Sequence, residues 1–498
     1  MSNNEENHDT NLFQQTIACD RRRILRTVGT CAVSAGIAGG FGPATATSAP
    51  NTDTEDEPTD AIIPLGPTIG LETIAEGLTY PTDFAIADGD DRYFVTDQVG
   101  YVYTIEDEEL SDEPFVDVSE QLVTLNEGYD ERGLLGITFH PDFEENNRFY
   151  LRYSAPPDDD LLEEPEIEGV EVEHVEVLSV FETEDNQASG DLDSEEILLT
   201  VPQTHFVHNS GEITFGPDGY LYVAFGDGGW YPIHDWYEEN EDNAAQDTIE
   251  SLHGGILRID VDTEDEPYEI PSDNPLADTD DHRGEYYAWG LRNPWGMSFD
   301  GDDLYAADVG EVLYESVYRI EEGGNYGWNV KEGTHCFNSD DYAEPLEDCP
   351  DETPEDVRGG EPLLDPILEY PHYYNDEHIG SAVIGGFVYQ GDTVSTLADT
   401  YVFGDWTAEA HGDPDGSLFI ASPPTNDEER HPYNEERNLW QIYELEIDAD
   451  DLTEDGRFAR YVSAFGRDGD SELYVMTTES SGMDSDSGEV HRIIPADD

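Results

Sequence analysis

Basic side chains are scarce in this sequence. Its 498 residues include 20 Lys and Arg against 118 Asp and Glu, and the formal net charge is -98. Because phosphate binding depends on patches of Lys and Arg, the composition argues against nucleic acid as a partner. Molar salt shortens the Debye length to about 3 Å and screens such a surface, so the composition predicts a protein adapted to high salt.

Long helical patterns are also missing, and a wholly disordered chain is excluded by the apolar content. No extended amphipathic stretch with helical periodicity occurs, whereas hydrophobic residues make up 37% and aromatic residues 11% of the chain. That amount of apolar material suffices for a substantial core despite the acidity.

Cysteine occurs only four times, at positions 19, 31, 336 and 349. The first two fall in a predicted export signal, which leaves Cys336 and Cys349 in the remainder of the chain. In an exported protein such a pair predicts one structural disulfide that closes a short loop. A metal site is disfavoured because no second pair of cysteines completes it.

The N-terminal segment has the features of a twin-arginine signal. Three consecutive arginines, 21 to 23, precede a stretch of small and apolar residues over 27–42, and Ala44-Thr45-Ala46 fits a cleavage site. The sequence therefore predicts a signal peptide over 1–46, an acidic linker over 47–66 and one folded domain over 67–498. We expect export to the cell surface or beyond. The apolar stretch is short and weakly hydrophobic for a membrane span, and a lipid anchor at Cys31 stays open.

A short pattern recurs six times along the chain. Each copy is a turn containing Asp, Asn, Ser or Gly followed by an aromatic or β-branched run, and the runs begin near residues 93, 149, 220, 304, 401 and 473. Repetition of this kind predicts an all-β, six-bladed β-propeller with four-stranded antiparallel blades. A pair of β-sandwiches is the alternative. Long inserted loops are expected over 156–196 and 230–252.

Several ordered motifs between about residues 71 and 495 carry a family resemblance. They include Glu131 to Pro141 (ERGLLGITFHP), His208 to Gly211 (HNSG), Gly226 to Gly229 (GDGG), Gly290 to Gly296 (GLRNPWG), Asp308 to Glu311 (DVGE) and Gly323 to Trp328 (GGNYGW). With these motifs the chain resembles the glucose/sorbosone dehydrogenase family, whose members include soluble pyrroloquinoline quinone (PQQ)-dependent sugar dehydrogenases. The resemblance independently implies the six-bladed propeller.

The resemblance implies an enzyme that oxidises an aldose sugar at C1, with hydride transfer to PQQ. His208 matches the catalytic base of the family, and a neutral imidazole suits removal of a hydroxyl proton. Arg292 matches a residue that stabilises negative charge on the quinone. Asn293, Asp227 and Glu131 are expected around the cofactor. The partners would be a small sugar and an electron acceptor that the sequence does not identify.

Calcium is the second expected cofactor. Gly310 and Glu311 match positions whose backbone carbonyls hold Ca²⁺ in the family, and Ca²⁺ prefers several oxygen ligands. Tyr326 matches a backbone ligand of a second Ca²⁺ site. There Ser316 replaces the usual carboxylate, and Glu315 is adjacent to it.

Three positions depart from the family pattern and keep other functions open. Gln390 and the segment around Trp406 stand where quinone-binding members carry basic residues, and Glu212 also replaces a common basic residue. A tricarboxylate is costly to bind among acids. The alternatives are a non-catalytic propeller that binds a glycan or a protein, as in the Hedgehog-interacting protein, and a Ca²⁺-dependent sugar lactonase.

Overall fold

The computed structural model describes residues 62–496, with gaps at 88, 91, 127, 159–160, 163–171, 185–186, 230–243, 250, 264–265, 280–281, 339–341, 343, 347–348, 355–358, 376, 409–413, 425–437, 450, 455–456 and 484. The predicted signal peptide and nearly all of the predicted linker lie outside the described residues. The first strand begins at Leu65, two residues before the predicted start of the folded domain.

Regular secondary structure in the described residues is almost entirely β-strand, as aromatic and β-branched runs between turns favour. One short helix, α1, covers Phe143–Asn146, and a 3₁₀ turn covers Ala244–Gln246. The strands are β1 Leu65–Leu78, β2 Pro81–Ile86, β3 Tyr93–Asp97, β4 Tyr101–Glu106, β5 Glu109–Leu110, β6 Val116–Asp117, β7 Leu134–Phe139, β8 Arg148–Ala155, β9 His174–Thr183, β10 Gly190–Gln203, β11 Ile213–Phe215, β12 Leu221–Phe225, β13 Gly255–Ile259, β14 Tyr286–Trp289, β15 Pro294–Asp300 and β16 Asp303–Asp308. They continue as β17 Tyr314–Ile320, β18 Lys331–Glu332, β19 His335–Cys336, β20 Leu368–Pro371, β21 Tyr373–Tyr374, β22 Glu377–His378, β23 Val383–Val388, β24 Tyr401–Asp405, β25 Ser417–Ser422, β26 Gln441–Asp448, β27 Thr453–Glu454, β28 Arg457–Phe458, β29 Tyr461–Arg467, β30 Leu473–Thr478 and β31 Gly488–Pro495.

These strands form an all-β, propeller-like fold. Four antiparallel sheets are separate: β2-β3-β4-β5 with β6 beside β4, β10-β9-β8-β7, β11-β12-β13-β14 and β15-β16-β17-β20. An eight-stranded sheet follows in the order β23-β24-β25-β26-β1-β31-β30-β29, and the parallel pairing of β1 with β26 makes it continuous. The sheets therefore do not show six separate blades, because the strands of two expected blades are joined in one eight-stranded sheet.

The six sequence repeats occupy equivalent positions in these sheets. Their apolar runs form β3, β8, β12, β16, β24 and β30, each lying next to an edge strand of a sheet or of the eight-stranded sheet. The preceding turn residue is left-handed in several copies, as at Asn147, Asp399 and Ser471 with φ of 58°, 60° and 63°. Asn, Asp and Gly tolerate that conformation best, which explains the composition of the recurring turn.

First strands of neighbouring sheets approach each other closely at glycines. A Cβ added to Gly136 of β7 would lie 2.5 Å from the carbonyl oxygen of Gly211, just before β11. A Cβ on Gly296 of β15 would lie 2.4 Å from the oxygen of Ile384 in β23. These contacts bring the loops that precede the first strands to one end of the fold, where the predicted site residues lie.

The predicted disulfide between Cys336 and Cys349 is confirmed, with Cα atoms 5.0 Å apart. The two long loops predicted from the sequence have different outcomes. The loop expected over 156–196 is wrong in part, because β9 and half of β10 lie within it. Most of β9 is buried, Glu176 included, whereas Asp193 and Glu196 of β10 are exposed. The loop expected over 230–252 falls largely outside the described residues.

In the described part of the chain, no helix is long and apolar enough to cross a membrane.

Candidate active site

His208 and Asp227 form a close side-chain pair at the end of the fold where the first strands begin. Nδ1 of His208 lies 2.6 Å from Oδ1 of Asp227, and the two side chains retain 15% and 14% exposure. Asp227 follows β12, and His208 lies in the segment between β10 and β11. The two side chains thus come from the segments before β11 and after β12 of one sheet. Their partial exposure leaves the pair open to a small ligand.

The local backbone explains why a glycine precedes Asp227. His208 adopts a left-handed φ of 61°, and its carbonyl oxygen faces Gly226. A Cβ at Gly226 would come within 2.0 Å of that oxygen. Only glycine allows the two segments to meet this closely, so the Gly226-Asp227 motif is a steric requirement of the His208 turn.

Arg292 contacts the opposite side of the imidazole. Its Nη2 lies 2.9 Å from Nε2 of His208, and its Nη1 donates to the carbonyl oxygen of Val309 over 2.9 Å. A guanidinium can only donate, so Nε2 of His208 must be the unprotonated nitrogen and Nδ1 carries the proton toward Asp227. The lone pair of Nε2 accepts the guanidinium here, so Nε2 has the protonation state that a general base requires and can accept a hydroxyl proton once Arg292 releases it.

Charges around the pair are strongly coupled. Burial alone would raise the pKa of Asp227, but the neighbouring His208 and then Arg292 outweigh it and lower that pKa to about 2. Burial opposes the charge on Arg292, yet Glu311 and Asp227 raise its pKa above the usual value. The carboxylate and the guanidinium are therefore both charged near neutral pH.

Glu131 and Asn293, predicted to lie around the cofactor, hold the His208 turn. Oε2 of Glu131 accepts the backbone N–H of His208 over 2.6 Å. Oδ1 of Asn293 accepts the N–H of Ser210 over 3.0 Å, and its Nδ2 lies 3.4 Å from Glu131. Both side chains are buried. They fix the backbone of His208, whereas Arg292 and Asp227 are predicted cofactor-binding residues whose side chains retain some exposure.

Glu311 and Gly310 lie beside Arg292 after β16. The carboxylate of Glu311 forms an ion pair with the guanidinium of Arg292 and lies 3.1 Å from its Nε. One oxygen of Glu332 accepts four successive backbone N–H groups, from Glu311 to Tyr314, at 2.8–3.1 Å. That carboxylate fixes the loop on which the predicted Ca²⁺-binding carbonyls lie, and no motif in the sequence pointed to it.

Glu315 and Tyr326, the other predicted metal residues, have separate side-chain hydrogen-bond partners. Glu315 is fully buried, lies 2.5 Å from Nε2 of His372 and accepts the N–H of Val383 over 2.8 Å. The hydroxyl of Tyr326 accepts the N–H of Glu321 over 2.7 Å. No group of three or more His, Cys, Asp or Glu side chains suited to a metal ion occurs among the described residues. A Ca²⁺ site built from backbone carbonyl oxygens thus stays a prediction.

Two of the three predicted departures, Gln390 and the segment around Trp406, lie at different ends of β23. Val383, at its start, pairs with Asp405, whereas Val388, at its end, pairs with Tyr401. Gln390 is exposed beyond that far end, where its amide lies 3.4 Å from Asp300. Trp406 lies at the near end and contacts Tyr129, with ring centroids 5.4 Å apart, and Tyr129 in turn donates to Glu131. Only the Trp406 departure therefore belongs to the surroundings of His208.

Comparison with known proteins identifies the family of this chain. The family model described as Glucose / Sorbosone dehydrogenase matches residues 78–404. The chain belongs to the glucose/sorbosone dehydrogenase family. It is 32% identical over 413 residues to the HIPL2 protein of Arabidopsis thaliana, a match covering 72% of this chain and 55% of that protein. It is 25% identical over 428 residues to the Hedgehog-interacting protein of Mus musculus, covering 85% and 52%. The chain thus spans about half the length of these curated relatives.

A solved structure of the glucose/sorbosone dehydrogenase type has the same fold. The PQQ-bound form of aldose sugar dehydrogenase from Streptomyces coelicolor superimposes with a TM-score of 0.57 at 17% identity. The match covers 87% of this chain and 99% of that one. At this identity the likeness concerns the fold, so the roles of individual residues must come from the geometry of this chain.

The cavity beside Arg292 bears on whether the family's cofactor fits. It encloses about 230 Å³ of empty space, including its opening, and is lined by Gly310, Tyr314, Ser316, Trp328 and Glu332. Oε2 of Glu332 and Oγ of Ser316 are buried there without hydrogen-bond partners. Buried oxygens of this kind are suited to a cation, and a divalent cation would offset the carboxylates of a quinone cofactor. The two oxygens therefore suit Ca²⁺, and Arg292 on the same cavity wall supplies a cation for the quinone.

Proposed function

We propose that this chain is an exported sugar dehydrogenase that oxidises an aldose at C1 with PQQ as cofactor and His208 as general base. The observation that carries the proposal is the placement of His208 between Asp227 at 2.6 Å and Arg292 at 2.9 Å. A structural histidine has no need of a buried carboxylate and a buried guanidinium on opposite ring nitrogens. A base has that need, since its tautomer and orientation must both be fixed.

Each residue has a distinct task in this proposal. Nε2 of His208 removes the hydroxyl proton of the sugar, and Asp227 stabilises the imidazolium that results. PQQ, when bound, supplies the two-electron acceptor for the hydride. Arg292 would hold the quinone end, and the backbone at Gly310 and Glu311 would hold Ca²⁺. Glu131 and Asn293 keep the His208 turn in place throughout.

The test uses the full chain at molar salt, supplied with PQQ and Ca²⁺, an artificial electron-accepting dye and a panel of aldoses. We expect dye reduction that His208→Gln lowers by about 10²- to 10⁴-fold. Asp302→Asn, in an exposed turn, serves as the matched control and should keep full activity. Absence of dye reduction with every aldose, together with loss of quinone absorbance on desalting, would refute the proposal.

A second candidate function is a binding module for a glycan or a protein. The two basic side chains that line the described cavity are already paired, Arg292 with Glu311 and Lys331 with Asp365, and Asp308 and Glu332 also line it. Such a charge balance disfavours a tricarboxylate in the absence of bound cations. The similarity to the Hedgehog-interacting protein also favours this alternative. Binding on a glycan array without any redox activity would establish it in place of the enzyme.

We also infer that the eight-stranded sheet represents two blades, β23 to β26 and β29 to β31 with β1. The second of these would be closed by the N-terminal strand, as the antiparallel pairing of β1 with β31 suggests. The inference counts six blades in all. Removal of residues 62–78 should then destabilise this sheet before the other four, as measured by amide hydrogen exchange.

A further inference from the structure

A buried arginine lies behind the His208 turn. Arg152 is in the middle of β8, where its neighbours are apolar, and it is completely buried. Its guanidinium faces Glu176 of β9, with Nε and Oε2 3.3 Å apart, and Glu176 is completely buried as well. An arginine within an apolar strand is the signal that the sequence offered for this residue.

The ion pair is buried and charged, although Nε of Arg152 and Oε2 of Glu176 form no hydrogen bond with each other. Glu176 accepts a hydrogen bond of 2.5 Å from Ser154 and lies 3.2 Å from Nε2 of His174. Burial raises the pKa of Glu176, but His174 and then Arg152 outweigh this effect and lower it. Buried ion pairs contribute little net stability compared with well-packed apolar side chains, because both charges lose their hydration. Stability alone therefore gives no reason for this pair.

The contacts of Arg152 point to a different reason. Its Nη2 donates to the carbonyl oxygen of Asn209, the residue that follows His208, and its Nη1 donates to the carbonyl oxygen of Ala224 in β12. Its guanidinium carbon also lies 4.1 Å from the ring centroid of Phe225. One side chain thus joins the segment that carries His208 to the strand that leads into Asp227.

We propose that Arg152, held by Glu176, is a positioning residue that sets the distance between His208 and Asp227. This inference rests on the proposed function, since it assigns a support to the same base. Arg152 touches neither the imidazole nor any reacting atom. It acts through the two backbone segments, whose carbonyl oxygens only a planar, forked donor can bind at once.

The test combines a spectroscopic readout with kinetics. In protein labelled with ¹⁵N-histidine, the His208 signals are assigned by their loss in His208→Gln, and the wild type should show protonated Nδ1 with unprotonated Nε2. The double variant Arg152→Met/Glu176→Gln removes both charges together, so no buried charge is left unpaired. We expect it to lose this tautomer signature and to lower kcat about 10- to 100-fold with little change in KM.

Two further variants keep the result interpretable. Arg152→Lys retains the positive charge but cannot bind both carbonyl oxygens, so it should shift the His208 signals in the same direction even if the double variant fails to fold. Arg258→Met removes a different buried arginine, which pairs with Asp218 and Asp273, and should leave the His208 signals unchanged. Folded Arg152 variants with wild-type signals would overturn the inference. If the wild type itself oxidises no sugar, the proposed function fails while the signals still decide the role of Arg152.

Discussion

Nε1 of Trp328 donates a hydrogen bond of 2.8 Å to Oδ2 of Asp227, the oxygen that does not face His208. The carboxylate is therefore held on both sides, by an indole and by an imidazole. Phe337 packs against Trp328 with ring centroids 4.7 Å apart, next to the disulfide-bonded Cys336. The orientation of the His208–Asp227 pair thus depends on residues about 100 positions further along the chain.

The substitution Trp328→Phe tests this support. It removes the donor while keeping an aromatic ring against Phe337. A hydrogen bond to a charged group contributes about 1.5–3 kcal/mol, so kcat for sugar oxidation should fall about 10- to 100-fold with little change in KM. Trp440→Phe, at a tryptophan that packs on Tyr305, is the matched control. Equal kcat values for both variants would argue against a role for the indole.

The substitution Asp227→Asn tests the carboxylate itself. An amide can keep one hydrogen bond to Nδ1 but cannot stabilise the imidazolium, and it permits the wrong tautomer. We expect kcat to fall by about 10³- to 10⁴-fold while the circular dichroism spectrum stays unchanged. Asp302→Asn provides the comparison at an exposed turn. Retention of more than a tenth of the wild-type rate would be inconsistent with His208 acting as the base.

Asp405 should make the stability of the fold depend on pH. It is fully buried and accepts hydrogen bonds from Tyr370 at 2.6 Å and Ser381 at 3.0 Å. Burial, followed by the nearby Glu315, raises its pKa from 3.8 to about 8. Between these two values the folded state keeps a proton that the unfolded chain has lost, so stability should fall as pH rises from about 4 to about 8.

Asp405→Asn removes this titration because an amide does not ionise. The free energy of unfolding should then decrease less steeply with pH, by up to about 1.4 kcal/mol per pH unit relative to the wild type. Denaturant unfolding at fixed molar salt between pH 5 and 9 measures the slope, with Asp302→Asn as the control. An unchanged slope in Asp405→Asn would show that the buried carboxyl does not hold a proton in this range.

Salt should stabilise the fold strongly. The net charge of -98 creates repulsion among surface carboxylates, and raising the salt from 0.1 M to 1 M shortens the Debye length from about 10 Å to about 3 Å. We expect the midpoint of thermal unfolding to rise steadily with KCl. A variant that neutralises one exposed acidic cluster, namely E106Q, D107N, E109Q, D112N and E113Q, should show a smaller rise. A midpoint that does not respond to salt in either protein would contradict this account.

The repeats could be found from the sequence because each depends on local chemistry. A turn residue that tolerates a left-handed φ and a following apolar run suffice to specify β8, β24 and β30, whatever their neighbours are. The pairing of Cys336 with Cys349 was equally accessible, since only two cysteines follow the predicted signal. Strands β9 and β10 escape this reasoning because they lie in the long interval between two repeats, and the first eight residues of β10 are exposed or half-buried.

The sequence by itself determined the all-β class, the family and the candidates His208, Asp227 and Arg292, because motifs and periodic patterns are properties of short segments. Only the tertiary structure decided that Glu131 and Asn293 hold the His208 backbone, that Gln390 lies at the far end of its strand, and that Trp328 and Arg152 support the pair. Those roles arise where distant segments meet. The distance between two side chains is set by how the sheets pack and not by how far apart the residues are in the chain.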